Sequence, residues 1–438
     1  MRKESDKLGQ AELNDDELYG LQTKRACENF KLNHKTTNLR LIYSIVKIKK
    51  AAAITYINTG ADSKGIYPAV ISACDRILAG EADDQFITQA LQGGAGTSTN
   101  MNVNEVIANL ALRQIGHPLG SYDKIHPLDD VNRGQSTNDV YPTALRIAAI
   151  DTLRKLSEEC AKLQEALQKK ENEFDSIKKV GRTELMDAIP VTLGGEFGAY
   201  AQAIARDRWR LYKVEERLRQ VNIGGTAIGT GTNAGKQYRF GIIETLRSMT
   251  GIGLAVSEYP LDITQNNDVF VEVSGLLKAL AVNLMKIAGD LRLMNSNAIG
   301  EIRLKPMQLG STIMPGKVNP VIPEMVIQVS LRTMANDFAI STAAAHGEFE
   351  LNAFLPLIAD SLLESLELLS QSVQLFREKC IEVIEPNAMK CTALLNSSFA
   401  FATEYTIKLG YDTVSQVLEQ CGGNTEKAKQ LLNEMLQK

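Results

Sequence analysis

Four short segments of the 438-residue chain combine glycine with hydroxyl and amide side chains in a way suited to holding an anion. They are Gly93-Gly94-Ala95-Gly96-Thr97-Ser98-Thr99-Asn100, Gln135-Ser136-Thr137-Asn138-Asp139, Gly181-Arg182-Thr183-Glu184, and Gly310-Ser311-Thr312-Ile313-Met314-Pro315-Gly316-Lys317-Val318-Asn319-Pro320. Each is expected to run into a helix. Taken singly they read as ordinary caps, because Ser, Thr, Asn and Asp favour the N-cap and Pro the first helical position. Asn319-Pro320 fits one helix start, and Asp139 with Pro142 fits another. Taken together they suggest more. A helix N-terminus carries unpaired N–H groups and partial positive charge. The neighbouring hydroxyls and amides add neutral donors, and Lys317 adds a full charge. Several such ends brought together would hold a small dianion. Gly310 and Gly316 bracket a hydroxyl-bearing stretch with no strong secondary preference, the composition of a loop able to close over a substrate. Gly229-Thr230-Gly231-Thr232-Asn233-Ala234 matches a relaxed dinucleotide fingerprint, but the helix-rich pattern around it lacks the βαβ context that such a site needs.

These segments must be held by long helices. Residues 270–294 place Leu276, Leu280, Leu284, Ile287 and Leu291 at spacings of three or four. Residues 355–382 do the same through Leu362, Leu366, Leu369, Val373 and Phe376. Residues 140–168 and 192–221 repeat the pattern with more charge. Several of these helices are apolar on more than one face, so a bundle must bury them, and subunits that share one bundle are expected. The division expected is an N-terminal helical domain over 1–135, a central long-helix bundle over 136–385 and a small C-terminal helical domain over 386–438.

Composition narrows the class. The chain is 44% apolar and 23% charged, with a net charge of −4 and no block of like charge. A nucleic-acid or anionic-membrane surface is disfavoured. No apolar run reaches the length of a membrane span, and no apolar stretch follows the charged N-terminus, so the cytoplasm is expected. The six cysteines form no C-x-x-C and read as free thiols. His34, His117, His126 and His346 lack metal-ligand spacing, so no protein-built metal site is expected. Activation by a divalent cation is not readable from such patterns.

The fourth segment closely resembles the G-S-S-x-M-P-x-K-x-N-P signature of the aspartase/fumarase superfamily. Further blocks resemble the family in order: Tyr19-Gly20-Leu21-Gln22-Thr23-Lys24-Arg25-Ala26, GGAGTSTNMNVNEV, QSTNDVYPT, GRTELMDAIPVTLG and GGTAIGTGTN. The resemblance covers the chain to about residue 400. Ala95, Val321-Ile322-Pro323-Glu324, and Glu184 in place of a fumarase histidine resemble the aspartase branch.

The resemblance implies a mainly all-α, three-domain fold whose central domain forms a twenty-helix bundle in a homotetramer, with active sites shared among subunits. It implies a carbon–nitrogen lyase of the aspartate ammonia-lyase type, which eliminates ammonia from L-aspartate to give fumarate without a cofactor. Ser311 would be the base. Thr97, Ser136, Thr137 and Thr312 would surround the carboxylate that gains charge. Lys317 and Asn319 would hold the other carboxylate, and Asn138, Thr183 and Glu184 would lie near the amine. Three features depart from the pattern: Thr312 for the usual second Ser, a shortened stretch Asn295–Glu301, and a short C-terminus. Two alternatives stay open. One is a fumarase or a lyase acting on a substituted-amine adduct of aspartate, and the other is a non-catalytic helical scaffold.

Overall fold

The longest elements among the described residues are the helices Thr137–Glu173, Leu193–Leu218, Asp268–Met294, Val321–Ala345 and Leu355–Lys379. The computed structural model describes residues 1–437. Asp268–Met294 shows why such helices persist. Phe270, Val273, Leu277, Leu280, Leu284, Ile287, Leu291 and Met294 are all buried and alternate at spacings of three and four, a heptad seam. Leu277 takes the buried place expected for Leu276, which is only half-buried, so the stripe is rotated by one residue there. In Leu355–Lys379 the expected stripe from Leu362 to Phe376 is fully buried. The fold is mainly helical, as expected.

The described residues group into two compact units. One comprises Met1–Leu156, Arg210–Lys278 and Arg332–Leu368, and the other Ser157–Trp209, Ala279–Leu331 and the chain from Leu369 onward. In the first unit, Leu39–Asn58 packs on Tyr67–Leu78 and on Lys236–Thr250, and Tyr67–Leu78 packs on Thr97–Gln114. The chain opens with an antiparallel hairpin, Arg2–Asp6 with Gly9–Leu13, where a helical domain was expected. In the second unit, Thr403–Leu409, Tyr411–Cys421 and Thr425–Leu436 pack around Val414, Val417, Ala428 and Leu432.

One expectation is corrected. The segment Gly181–Glu184 does not open a helix. It ends the strand Lys178–Thr183, which pairs with Met186–Thr192. Glu184 and Leu185 form the turn with φ of 52° and 66°. Two successive left-handed residues match the twist of a two-residue hairpin, and non-glycine residues there store backbone strain.

Candidate active site

In the first unit the structure builds the QSTND segment as a helix start. Ser136 is the N-cap: its Oγ accepts from Asn138 N–H at 3.2 Å, and Asp139 Oδ1 accepts from Ser136 N–H at 2.9 Å. This is a reciprocal capping box with Asp in the third helical position. Pro142 lies inside the helix rather than at its start. A proline cannot donate to the carbonyl four residues back, which here is Asn138. Asn222 Nδ2 supplies the missing bond to Asn138 O at 2.9 Å. The Asn138 side chain donates to Ala227 O at 2.7 Å. Asp139 Oδ2 accepts from Gly224 N–H at 2.9 Å and Thr226 N–H at 3.0 Å. The turn Gly224–Ala227 thus braces the helix start that carries Ser136, Thr137 and Asn138, and Thr232 and Asn233, from the stretch that mimicked a dinucleotide loop, line the same cavity as Ser136.

Thr97 is the first residue of its helix, after Gly96 at φ 92°, and is exposed. Gly96 is required there, because a Cβ would enter the ring of Tyr141. One turn on, Asn100 Nδ2 donates to Thr137 Oγ1 at 3.2 Å. The starts of these two helices are thus brought together. Ser136, Gln135, Thr226 and Asn233 line a cavity of about 450 Å³ beside them.

Beneath lies a polar layer that the motifs did not reveal. Lys49 is 1% exposed. Its Nζ donates to Asn132 Oδ1 at 2.8 Å and Gln135 Oε1 at 2.9 Å. Asn100 and Asn104 also donate to Asn132 Oδ1, at 3.1 and 3.2 Å. Burial pushes the Lys49 ammonium down to about 7, with the Asp139 charge opposing. Burial likewise pushes the Asp139 carboxyl up to about 6, against the N–H groups of Ser136, Thr226 and Gly224 and the charge of Lys49. Lys49 sits in a helical run of Ile, Lys and Ala. Only an unusual lysine on the apolar stripe of Leu39–Asn58 could have signalled it.

In the second unit, Ser311, Thr312 and Lys317 lie on the exposed loop before the helix Val321–Ala345. Ser311 Oγ accepts from Ile313 N–H at 3.2 Å and Met314 N–H at 2.9 Å. Asn319 Nδ2 closes the loop base by donating to Gly310 O at 2.7 Å. Gly310 allows this closure, since a Cβ would run into Lys317 O. Thr183 and Glu184 lie at the exposed hairpin tip. Glu184, Arg182, Lys286 and Asp290 line a cleft of about 400 Å³. The predicted residues thus form two groups. One holds Thr97, Ser136, Thr137 and Asn138, and the other holds Thr183, Glu184, Ser311, Thr312, Lys317 and Asn319.

All six cysteines are free thiols, and Cys27 is half-buried while the others are buried. Among the described residues no group of three His, Cys, Asp or Glu is placed to hold a metal ion. No described helix is long and apolar enough to cross a membrane.

Long seamed helices, capped polar segments at their ends and a serine-bearing loop agree with the lyase class that the motifs resemble, and comparison with known proteins shows that class. The lyase family model matches residues 9–335, and the chain belongs to that family. Aspartate ammonia-lyase from Helicobacter pylori is 42% identical over 425 residues, which are 96% of this chain and 91% of that protein. The structure of a fumarate lyase:delta crystallin from Brucella melitensis superposes with a TM-score of 0.94 at 41% identity, covering 100% of this chain and 98% of that one. A class II fumarase from Schistosoma mansoni superposes with a TM-score of 0.93 at 32% identity, covering 98% and 95%.

Proposed function

We propose that this chain eliminates ammonia reversibly from L-aspartate to give fumarate. The near full-length identity to an aspartate ammonia-lyase, higher than to a fumarase, supports ammonia as the leaving group. In this reading Ser311 Oγ takes a proton from Cβ. The electrons place a second negative charge on the adjacent carboxylate as an aci-carboxylate. The bond from Cα to nitrogen then breaks, and ammonia leaves with its electron pair.

A proton beside a carboxylate is weakly acidic, so the site must bind the dianionic state more tightly than the substrate. Thr97, Ser136, Thr137 and Thr312 serve this as neutral donors, which avoids burying further cations. Lys317 and Asn319 hold the second carboxylate. Asn138, Thr183 and Glu184 face the amine. The observation that carries the base assignment is the pair of loop N–H groups, Ile313 and Met314, directed at Ser311 Oγ. Such donors stabilise an alkoxide once closure excludes water. The reaction as written needs no cofactor.

The functional form in this reading is a cytoplasmic homotetramer with shared active sites and domains dividing near residues 135 and 385. Tyr212, Leu331 and Phe338 support the association of copies in that form. They are large apolar side chains exposed on the long helices, at 73%, 53% and 75%. Burial against further copies would remove that surface from water.

The test supplies pure protein with L-aspartate, malate, or fumarate plus ammonia, and follows the enoate absorbance. Turnover of L-aspartate is expected. Activity on malate alone would replace ammonia by water as the leaving group. Silence on all three would favour the substituted-amine or scaffold readings.

A further inference from the structure

The hairpin that carries Thr183 and Glu184 is tethered at its root by a buried carboxylate. Glu301 is 0% exposed. Its Oε1 lies 2.9 Å from Arg182 Nη1, and its Oε2 lies 2.9 Å from Lys179 Nζ. Lys179 is itself buried, and its Nζ also meets Glu196 Oε1 at 2.6 Å. Lys179 and Arg182 thus meet Glu301 and Glu196 in one cluster, with Asp187 Oδ1 a further 3.7 Å from Arg182 Nε.

The strand geometry makes this contact specific. Residues three apart on a flat strand project to opposite faces. Lys179 and Arg182 are three apart, yet both reach Glu301. The register of the hairpin shifts between Val180 and Arg182, and such irregularities increase local twist. Gly181 permits the close approach there, since a Cβ would lie 2.8 Å from Ile189 O.

Glu301 is anchored on its own side. Its N–H donates to Met294 O at 2.9 Å, and its carbonyl accepts from Asn387 N–H at 2.8 Å. It closes the shortened Asn295–Glu301 stretch that departs from the family pattern. The next residue beyond Arg182 is Thr183, followed by the strained turn at Glu184 and Leu185.

We infer that Glu301 is a positioning residue for the amine subsite, holding Lys179 and Arg182 so that the hairpin presents Thr183 and Glu184 in one fixed orientation. This rests on the reading above that Thr183 and Glu184 face the leaving amine. Glutamine at this place keeps the shape and can still accept from Arg182, but it leaves Lys179 with Glu196 as its sole carboxylate. The tip then samples other orientations, and a displacement of about 1 Å at a positioned group costs on the order of 100-fold in rate.

The test uses the full-length protein as wild type, Glu301→Gln, Glu184→Ala and the double variant. Hydrogen exchange over residues 178–192 is measured beside kcat and KM for L-aspartate. In Glu301→Gln, exchange in the hairpin should accelerate while the helix Thr425–Leu436 keeps its rate. Its kcat/KM should fall about 10- to 100-fold, mainly through kcat. The double variant should be no worse than the weaker single variant, because both changes act through one group. Unchanged hairpin exchange, or losses that multiply in the double variant, would overturn the inference. If Glu301→Gln does not fold, Arg182→Met retains the Lys179 pairs and carries the same readouts. Wild-type protein silent on L-aspartate would refute the elimination reading, while the exchange result would still decide whether Glu301 holds the hairpin.

Discussion

Replacing Lys49 by methionine should remove a pH dependence of stability that the wild-type fold carries. Lys49 is fully enclosed, and its immediate partners, Asn132 and Gln135, are neutral amides. Desolvation therefore outweighs the attraction of Asp139 and lowers the ammonium from 10.5 to about 7. A lowered folded-state value means that the unfolded chain holds this proton more tightly than the native one. Stability from this group is complete above 10.5 and is lost as the pH falls toward 7. The slope is about 1.4 kcal/mol per pH unit for one proton, and the full span amounts to about 5 kcal/mol. Urea midpoints of wild type and Lys49→Met, taken at one protein concentration from pH 7 to pH 9, would report it. The wild type should gain about 2 kcal/mol relative to the variant between those two values, because at pH 7 the native lysine is still half protonated and the slope there is only about half the full one. Methionine preserves the length and apolar stem, so core volume changes little. Parallel curves for the two proteins would refute the argument, since they would mean that Lys49 keeps its proton in the fold through Asp139.

Ser311→Ala should lower kcat at least about 100-fold, as general-base loss does, while mass measurement finds the same oligomer; near-normal turnover would remove Ser311 from the mechanism. Asn222→Ala should cost about 1–3 kcal/mol, because Pro142 cannot replace the bond to Asn138 O. Adding Pro142→Ala should recover part of that loss in thermal unfolding by restoring an N–H four residues on, and no recovery would show that the carbonyl finds another donor.

The helices were legible because their determinants are local. The three-and-four spacing of Leu280, Leu284, Ile287 and Leu291 and the presence of a helix start near Asp139 depend on neighbours within one or two turns, and residue order displays them directly. The loop around Ser311 was legible as a loop for the same reason, since Gly310 and Gly316 bracket it and the N–H partners of Ser311 are two and three residues away, whereas the role of Ser311 came only from the family resemblance. Where Gly181–Glu184 turned out to be a hairpin tip, local reading failed because small polar residues serve helix caps and turns alike. The deeper features were hidden for a different reason. Lys49 meets Gln135 across 86 positions, Asp139 meets Thr226 across 87, and Arg182 meets Glu301 across 119. No periodicity links such pairs. Whether each charge is solvated or enclosed depends on which surfaces pack over it, and packing is a property of the folded chain.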